Sequence, residues 1–122
     1  MRLWGRVKVG SIEYSVYLAT KEENPDLDGA DAYTYWDKAE IHVLDIIAPE
    51  RFAPALFHEL FHAALEAGGG DYFLQTLLGK KWTAEAEDQL IRCVEGVFVG
   101  ALQQTGWRPK LTKRTRKAKE PK

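Results

Sequence analysis

Five consecutive residues of this sequence could do chemistry together: His58, Glu59, Leu60, Phe61 and His62. On a helix, positions i and i+4 share one face about 6 Å apart along the axis, so both imidazoles can reach one ion. Neutral imidazole nitrogen suits zinc (Zn2+), and two histidines with one further ligand leave a coordination position open for water. Zinc brings such a water's pKa near neutrality, and Glu59, about 100° round the helix from His58, stands where a general base would take the proton. His58 and His62 are therefore the expected metal ligands and Glu59 the expected catalytic residue. The bland alternative is a helix that bears two histidines beside the core. Phe57, Leu60, Phe61, Ala64 and Leu65 make an apolar stripe flanking the histidine face, which predicts that the imidazoles point into protein.

A third ligand is needed. Gly68 stands where the H-E-x-x-H-x-x-G-x-x-H peptidases carry a histidine, which excludes that class. Glu66 continues the series 58, 62, 66, but eight residues of helix span about 12 Å, too far for both ends to bind one ion. The ligand is expected from the last helix, where Leu90, Ile91, Val94 and Phe98 define an inward stripe and Glu87 precedes its first two members by three and four residues. Glu87 is the first choice, with Glu85 and Glu95 as alternatives. Acids in a helix's first turns are favoured by the macrodipole in any case. Peptide hydrolysis would also need a group to stabilise the oxyanion, and Tyr35, His42, Tyr72 and Arg92 are unranked candidates.

The elements that must position these residues follow from periodicity. Leu3–Val9 and Ile12–Leu18 alternate in polarity on either side of Gly10-Ser11, a hairpin turn that sets Val9 opposite Ile12, Val7 opposite Tyr14 and Leu3 opposite Leu18. Residues 21–31 form an acidic loop whose glycine is misplaced for a calcium-binding hand. Ala32–Trp36 and Ile41–Ile47 read as strands. A helix is expected from Pro54, tolerable only in a first turn, to Ala67, ended by Gly68-Gly69-Gly70. A short helix capped by Asp71 and a longer one from Thr83 to about Gln104 complete the chain. The expected fold is α+β: a three- to four-stranded, mostly antiparallel sheet with two main helices packed on one face.

Tyr35-Trp36-Asp37, the strand Ile41-His42-Val43, His58-Glu59-Leu60-Phe61-His62-Ala63 and the acidic helix start before Leu90-Ile91 together resemble compact gluzincin-type zinc metallopeptidases, especially the ImmA/IrrE-like and phage-encoded minimal zincins. The resemblance covers roughly residues 33–100. It implies a zincin-like fold, hydrolysis of a protein or peptide substrate, a strand along the cleft near Ile41–Leu44 where the substrate adds as an extended partner, and a carboxylate ligand that falls on Glu87. Asp88-Gln89 stands where the ImmA/IrrE type has Ala-Asn, and no aspartate follows four residues on.

Length and composition fit this reading. A chain of 122 residues, 45% hydrophobic, is one domain with one ordinary core, expected over residues 1–107. No apolar run reaches the eighteen or so residues of a membrane span, and the N-terminus lacks a signal-peptide core, so the expected address is cytoplasmic, with no membrane partner. The lone cysteine, Cys93, excludes an internal disulfide or a cysteine metal site and reads as a small core residue. Trp4, Trp36, Trp82 and Trp107 read as packing residues. Residues 108–122 carry eight Lys/Arg against Glu120, about +7, which leaves about −8 on the rest of a chain whose net charge is −1. Such a tail either only solubilises or grips nucleic acid or an acidic partner. Two rivals to the peptidase therefore stand: a catalytically inactive zincin-fold binding module, and a nucleic-acid-associated phage accessory protein with a coincidental motif.

Overall fold

The computed structural model describes residues 1–104. The basic segment 108–122, with its nucleic-acid expectation, Trp107 and the domain boundary beside it lie outside the described residues. The order is β1 (Arg2–Val9), β2 (Ile12–Ala19), a 3-10 turn at Pro25–Leu27, β3 (Ala32–Tyr35), β4 (Glu40–Leu44), α1 (Pro49–Ala67), α2 (Gly70–Leu78), a second 3-10 turn at Gly79–Lys81, and α3 (Ala84–Gln104). The α+β class is as expected. Among the described residues no helix is long and apolar enough to cross a membrane.

Gly10, at φ 63°, closes the β1–β2 hairpin, and Val9 faces Ile12 and Val7 faces Tyr14 as the pattern predicts. The register then slips. Trp4 is an extra residue between Leu3 and Gly5, so Leu3 meets Tyr17 and Arg2 meets Leu18. The bulge goes with the Trp4 ring lying 5.3 Å from that of Phe52 on α1.

The strand order is β1-β2-β4-β3, antiparallel at both flanks and parallel between β2 and β4. With two of its three pairings antiparallel, the four-stranded sheet is as expected, and the parallel central pairing is the one feature that periodicity did not show. Residues 20–31 carry the chain to the far edge, so that β3 takes the edge position and β4, which follows it in sequence, returns between β3 and β2. Asn24 pins this crossover: its side chain accepts from Asp26 N and its Nδ2 lies 2.8 Å from both Tyr35 Oη and His42 Nδ1.

One face of the sheet carries Tyr14, Val16, Leu18, Ile41 and Val43, all buried, against Phe52, Leu56 and Ala63 of α1. The helix starts five residues before Pro54, with Pro49 in its first turn. Pro54 thus lies inside the helix, where it has no N–H for the carbonyl of Glu50, a cost of about 3 kcal/mol. Phe52 and Leu56, buried on either side of it, contribute roughly 1.5–3 kcal/mol each, enough to carry the helix through. Gly69, at φ 76°, turns the chain into α2, so Asp71 sits in that helix's first turn and accepts from Trp82 Nε1 instead of capping. Thr83 does cap α3, its Oγ1 accepting from Ala86 N at 3.0 Å.

The inward side of α3 differs from the apolar stripe expected. Glu87, Ile91 and Val99 are buried, with Asp88 and Glu95 half-buried beside them, whereas Leu90, Val94 and Phe98 are 40–46% exposed. Cys93 is exposed on the same helix, not in the core.

Candidate metal centre

α1 and α3 pack side by side, and the first turns of α3 meet the middle of α1 through polar groups. His58 and His62, one turn apart, lie with ring centroids 5.0 Å apart. Each imidazole has a different glutamate on its Nδ1: Glu95 Oε1 lies 3.0 Å from His58 Nδ1, and Glu87 Oε2 hydrogen-bonds His62 Nδ1. Both Nε2 atoms turn instead to Asp88. Its Oδ1 lies 2.8 Å from His58 Nε2 and 3.6 Å from His62 Nε2.

This arrangement separates two roles that sequence spacing could not. A carboxylate accepting the Nδ1 proton holds the ring so that Nε2 is presented to a metal, which would take the place of the proton that His58 Nε2 shares with Asp88 here. Glu87, the expected third ligand, and Glu95, its alternative, both occupy that orienting position. The carboxylate facing both Nε2 atoms is that of Asp88. Glu85, the other alternative, is exposed and contacts neither histidine. One ligand atom from each of His58, His62 and Asp88 lies within 4.8 Å of the others. Ligands 2.0–2.1 Å from a tetrahedral zinc stand about 3.3 Å apart, so the donor set and spacing fit that ion after small side-chain adjustments.

Glu59 is 9% exposed, and its Oε1 accepts a 2.6 Å hydrogen bond from Thr34 Oγ1 of β3. Burial pushes its pKa up, against the Thr34 hydrogen bond and the neighbouring histidines, which pull it down. Burial also raises Glu87, helped by the nearby Asp71 carboxylate. Burial acts on Asp88 in the same direction but is outweighed, and hydrogen bonds from Arg92 and His58 bring its pKa below the usual value. Asp88 is thus held as a carboxylate while Glu59 is disposed to take a proton.

These groups line a cleft of about 750 Å3, walled by α1, α3, residues Gly29–Thr34 and Trp36. Trp36, expected in the core, is 48% exposed at its rim. The strand expected along the cleft, Ile41–Leu44, lies inside the sheet with both edges paired. The strand lining the cleft is β3, which is the sheet edge. Asp31 O accepts from Leu44 N, so the antiparallel alternation turns the backbone N–H and C=O of Ala32 and Thr34 away from β4, toward the open edge.

Of the four groups considered for the oxyanion, Arg92 alone lines this cleft, its Nε donating to Asp88 Oδ2 at 2.7 Å. Tyr35 and His42 project from the opposite face of the sheet, where Tyr35 donates to Asp26 and His42 Nε2 donates to Glu40. Tyr72 is 75% exposed on α2, outside the cleft. Asp88 and Thr34 went unrecognised in the sequence. One signal was there: Asp88 and Glu95, seven residues apart, share a helix side that runs opposite the histidine pair. For Thr34 there was none.

No protein-family model matches this chain, and neither a curated protein nor a solved structure is significantly similar to it.

Proposed function

We propose that this chain is a zinc-dependent peptidase that hydrolyses an extended peptide segment by general-base attack of water. One observation carries the reading: both histidine Nε2 atoms of an H-E-x-x-H helix converge on one carboxylate, while each Nδ1 is held by a different one. His58, His62 and Asp88 would hold the ion. Zinc bound there would acidify a water and polarise the scissile carbonyl.

The chain's own residues supply the rest. Glu95 and Glu87 keep the Nδ1 protons of His58 and His62 in place, so that neither ring can turn. The Thr34 hydroxyl occupies Glu59 Oε1 and leaves Oε2 to accept the proton of the attacking water. Burial raises the Glu59 pKa, which favours its taking that proton, and Glu59 would then pass it to the leaving amine. Arg92 keeps guanidinium N–H groups beyond its Nε with which to meet the carbonyl oxygen as charge develops. The outward amides and carbonyls of Ala32 and Thr34 offer a peptide an edge to pair with, beside the general base. The resemblance to compact gluzincins points the same way.

The test is elemental analysis with a peptide-cleavage assay on the wild type, His62→Ala and Glu59→Gln. The wild type should carry near one zinc per chain, which His62→Ala loses. Glu59→Gln should keep the metal and lose cleavage by about 10²- to 10⁴-fold, the range for a general base. A protein that takes up no zinc when supplied with it sinks the reading. Cellular activity that survives Glu59→Gln makes the chain a binding module instead.

A further inference from the structure

A groove leads out of the cleft. It passes Pro54, Arg92 and Glu95 and continues between α1 and α3 to Val99 and Gly100, with Glu50 on its wall. Near Gly96 and Gly100 it is open, since a Cβ on either would meet nothing within 4 Å. Cleft and groove are lined by Asp31, Glu50, Glu59, Glu87, Asp88 and Glu95 against two arginines, Arg51 and Arg92, which are already paired with Asp31 and Asp88. A divalent cation at the histidines would still leave the passage net negative. Glu95 Oε2 is buried without a hydrogen-bond partner, and Glu50 makes no ion pair among the described residues.

The complementary charge is on the same chain. Residues 108–122 carry eight Lys/Arg and one Glu, and follow closely on α3, whose Gly100 is one turn before its end. Reach is no obstacle. From Gln104 back to the level of Asp88 is sixteen helical residues, about 24 Å, which about eight extended residues span at roughly 3.3 Å each. The eighteen residues that follow Gln104, the last one described, are therefore long enough to reach back to the level of the histidines.

We propose that this groove is the docking site of the chain's own basic C-terminal segment, which lies back along α3 in cis with its lysines and arginines against Glu50, Glu95 and the cleft carboxylates. It follows that the peptide class the cleft takes is extended and rich in Lys and Arg, and that free substrate competes with the tail. That last consequence rests on the peptidase reading; the docking itself rests on shape and charge alone.

The experiment uses the full chain with the exposed Cys93 changed to Ser and a nitroxide on Thr112→Cys, read by amide NMR with and without zinc. Amide intensities of Ala55, Gly96 and Gly100 should fall by about half or more at low salt and recover at about 0.5 M, where the screening length is roughly 4 Å. Glu50→Lys should weaken the effect. A mixture of spin-labelled unenriched chain with isotope-enriched unlabelled chain should show no broadening, because the contact is in cis. Broadening in the mixture, no selective broadening at all, or salt-independent broadening would each overturn the proposal. So would signals unaffected until duplex DNA is added, an outcome that favours nucleic acid as the tail's partner. A chain with no hydrolytic activity leaves every one of these readouts intact, so failure of the peptidase reading is scored separately.

Discussion

Asp88 and Glu87 are neighbours in sequence and meet opposite sides of the imidazole pair, so their loss should have unlike consequences. Asp88→Ala removes the carboxylate that faces both Nε2 atoms, and zinc content after dialysis against micromolar free metal should fall from near one per chain to near zero. Glu87→Gln leaves the ligand atoms in place and loosens only the orientation of His62, which should weaken zinc affinity by about 10- to 100-fold. Competition with a chromophoric chelator measures both constants, and circular dichroism establishes that each variant is folded. The reverse order of severity would return the ligand role to Glu87.

At the scale of elements, α3 turns its carboxylates inward where it faces the histidines, buries Ile91 among them, and seats other apolar residues from Phe98 on, where the Phe98 ring meets those of Phe57 and Phe61. Ile91→Ala should therefore cost about 2–5 kcal/mol in urea unfolding, as core truncations do. Leu90→Ala, one position away and 40% exposed, should cost about 1 kcal/mol or less. Equal losses would contradict the orientation of the helix. For β3, the outward groups belong to Ala32 and Thr34, so a bound peptide pairs through alternate amides only. N-methylation of a cleavable peptide at one of two successive amides should lower kcat/KM by about tenfold, the cost of a hydrogen bond at the upper end of the usual range, and methylation at the other should change it little. Equal effects at both amides would rule out edge pairing.

For the whole molecule, the proposed ion would add a link between α1 and α3, which already pack side by side and whose chain connection runs through α2, a helix that fully buries none of its side chains. Binding to the folded state alone stabilises it by about 2.7 kcal/mol at a hundredfold excess over Kd. For a domain near this size that corresponds to a rise in Tm of roughly 10 °C or more, reversed by a chelator and absent in Asp88→Ala. Calorimetry at matched pH and ionic strength checks it. A Tm indifferent to zinc would mean that no ion bridges the two helices.

The motif, the hairpin and the helix cap were legible because each is local: periodicity of 2 or 3.6, a glycine at a turn and a threonine before a helix act within a few residues. His58, Glu59 and His62 come together for the same reason, their spacing being a property of one helix. What tertiary structure decided is everything that depends on which faces meet. The inward side of α3 could not be read from its apolar residues, because the facing surface of α1 is imidazole and the buried side there is acidic. Asp88 rather than Glu87 meets the two Nε2 atoms through a rotation of α3 of about 100°, one residue's worth, that no sequence period fixes. Likewise the placing of β4 inside the sheet and β3 at its edge rests on a crossover pinned by Asn24, Tyr35 and His42, contacts 11 and 18 residues apart. Local spacing thus determined which groups could do the chemistry, and the packing of α3 and β3 against α1 determined which of them face one another across the cleft.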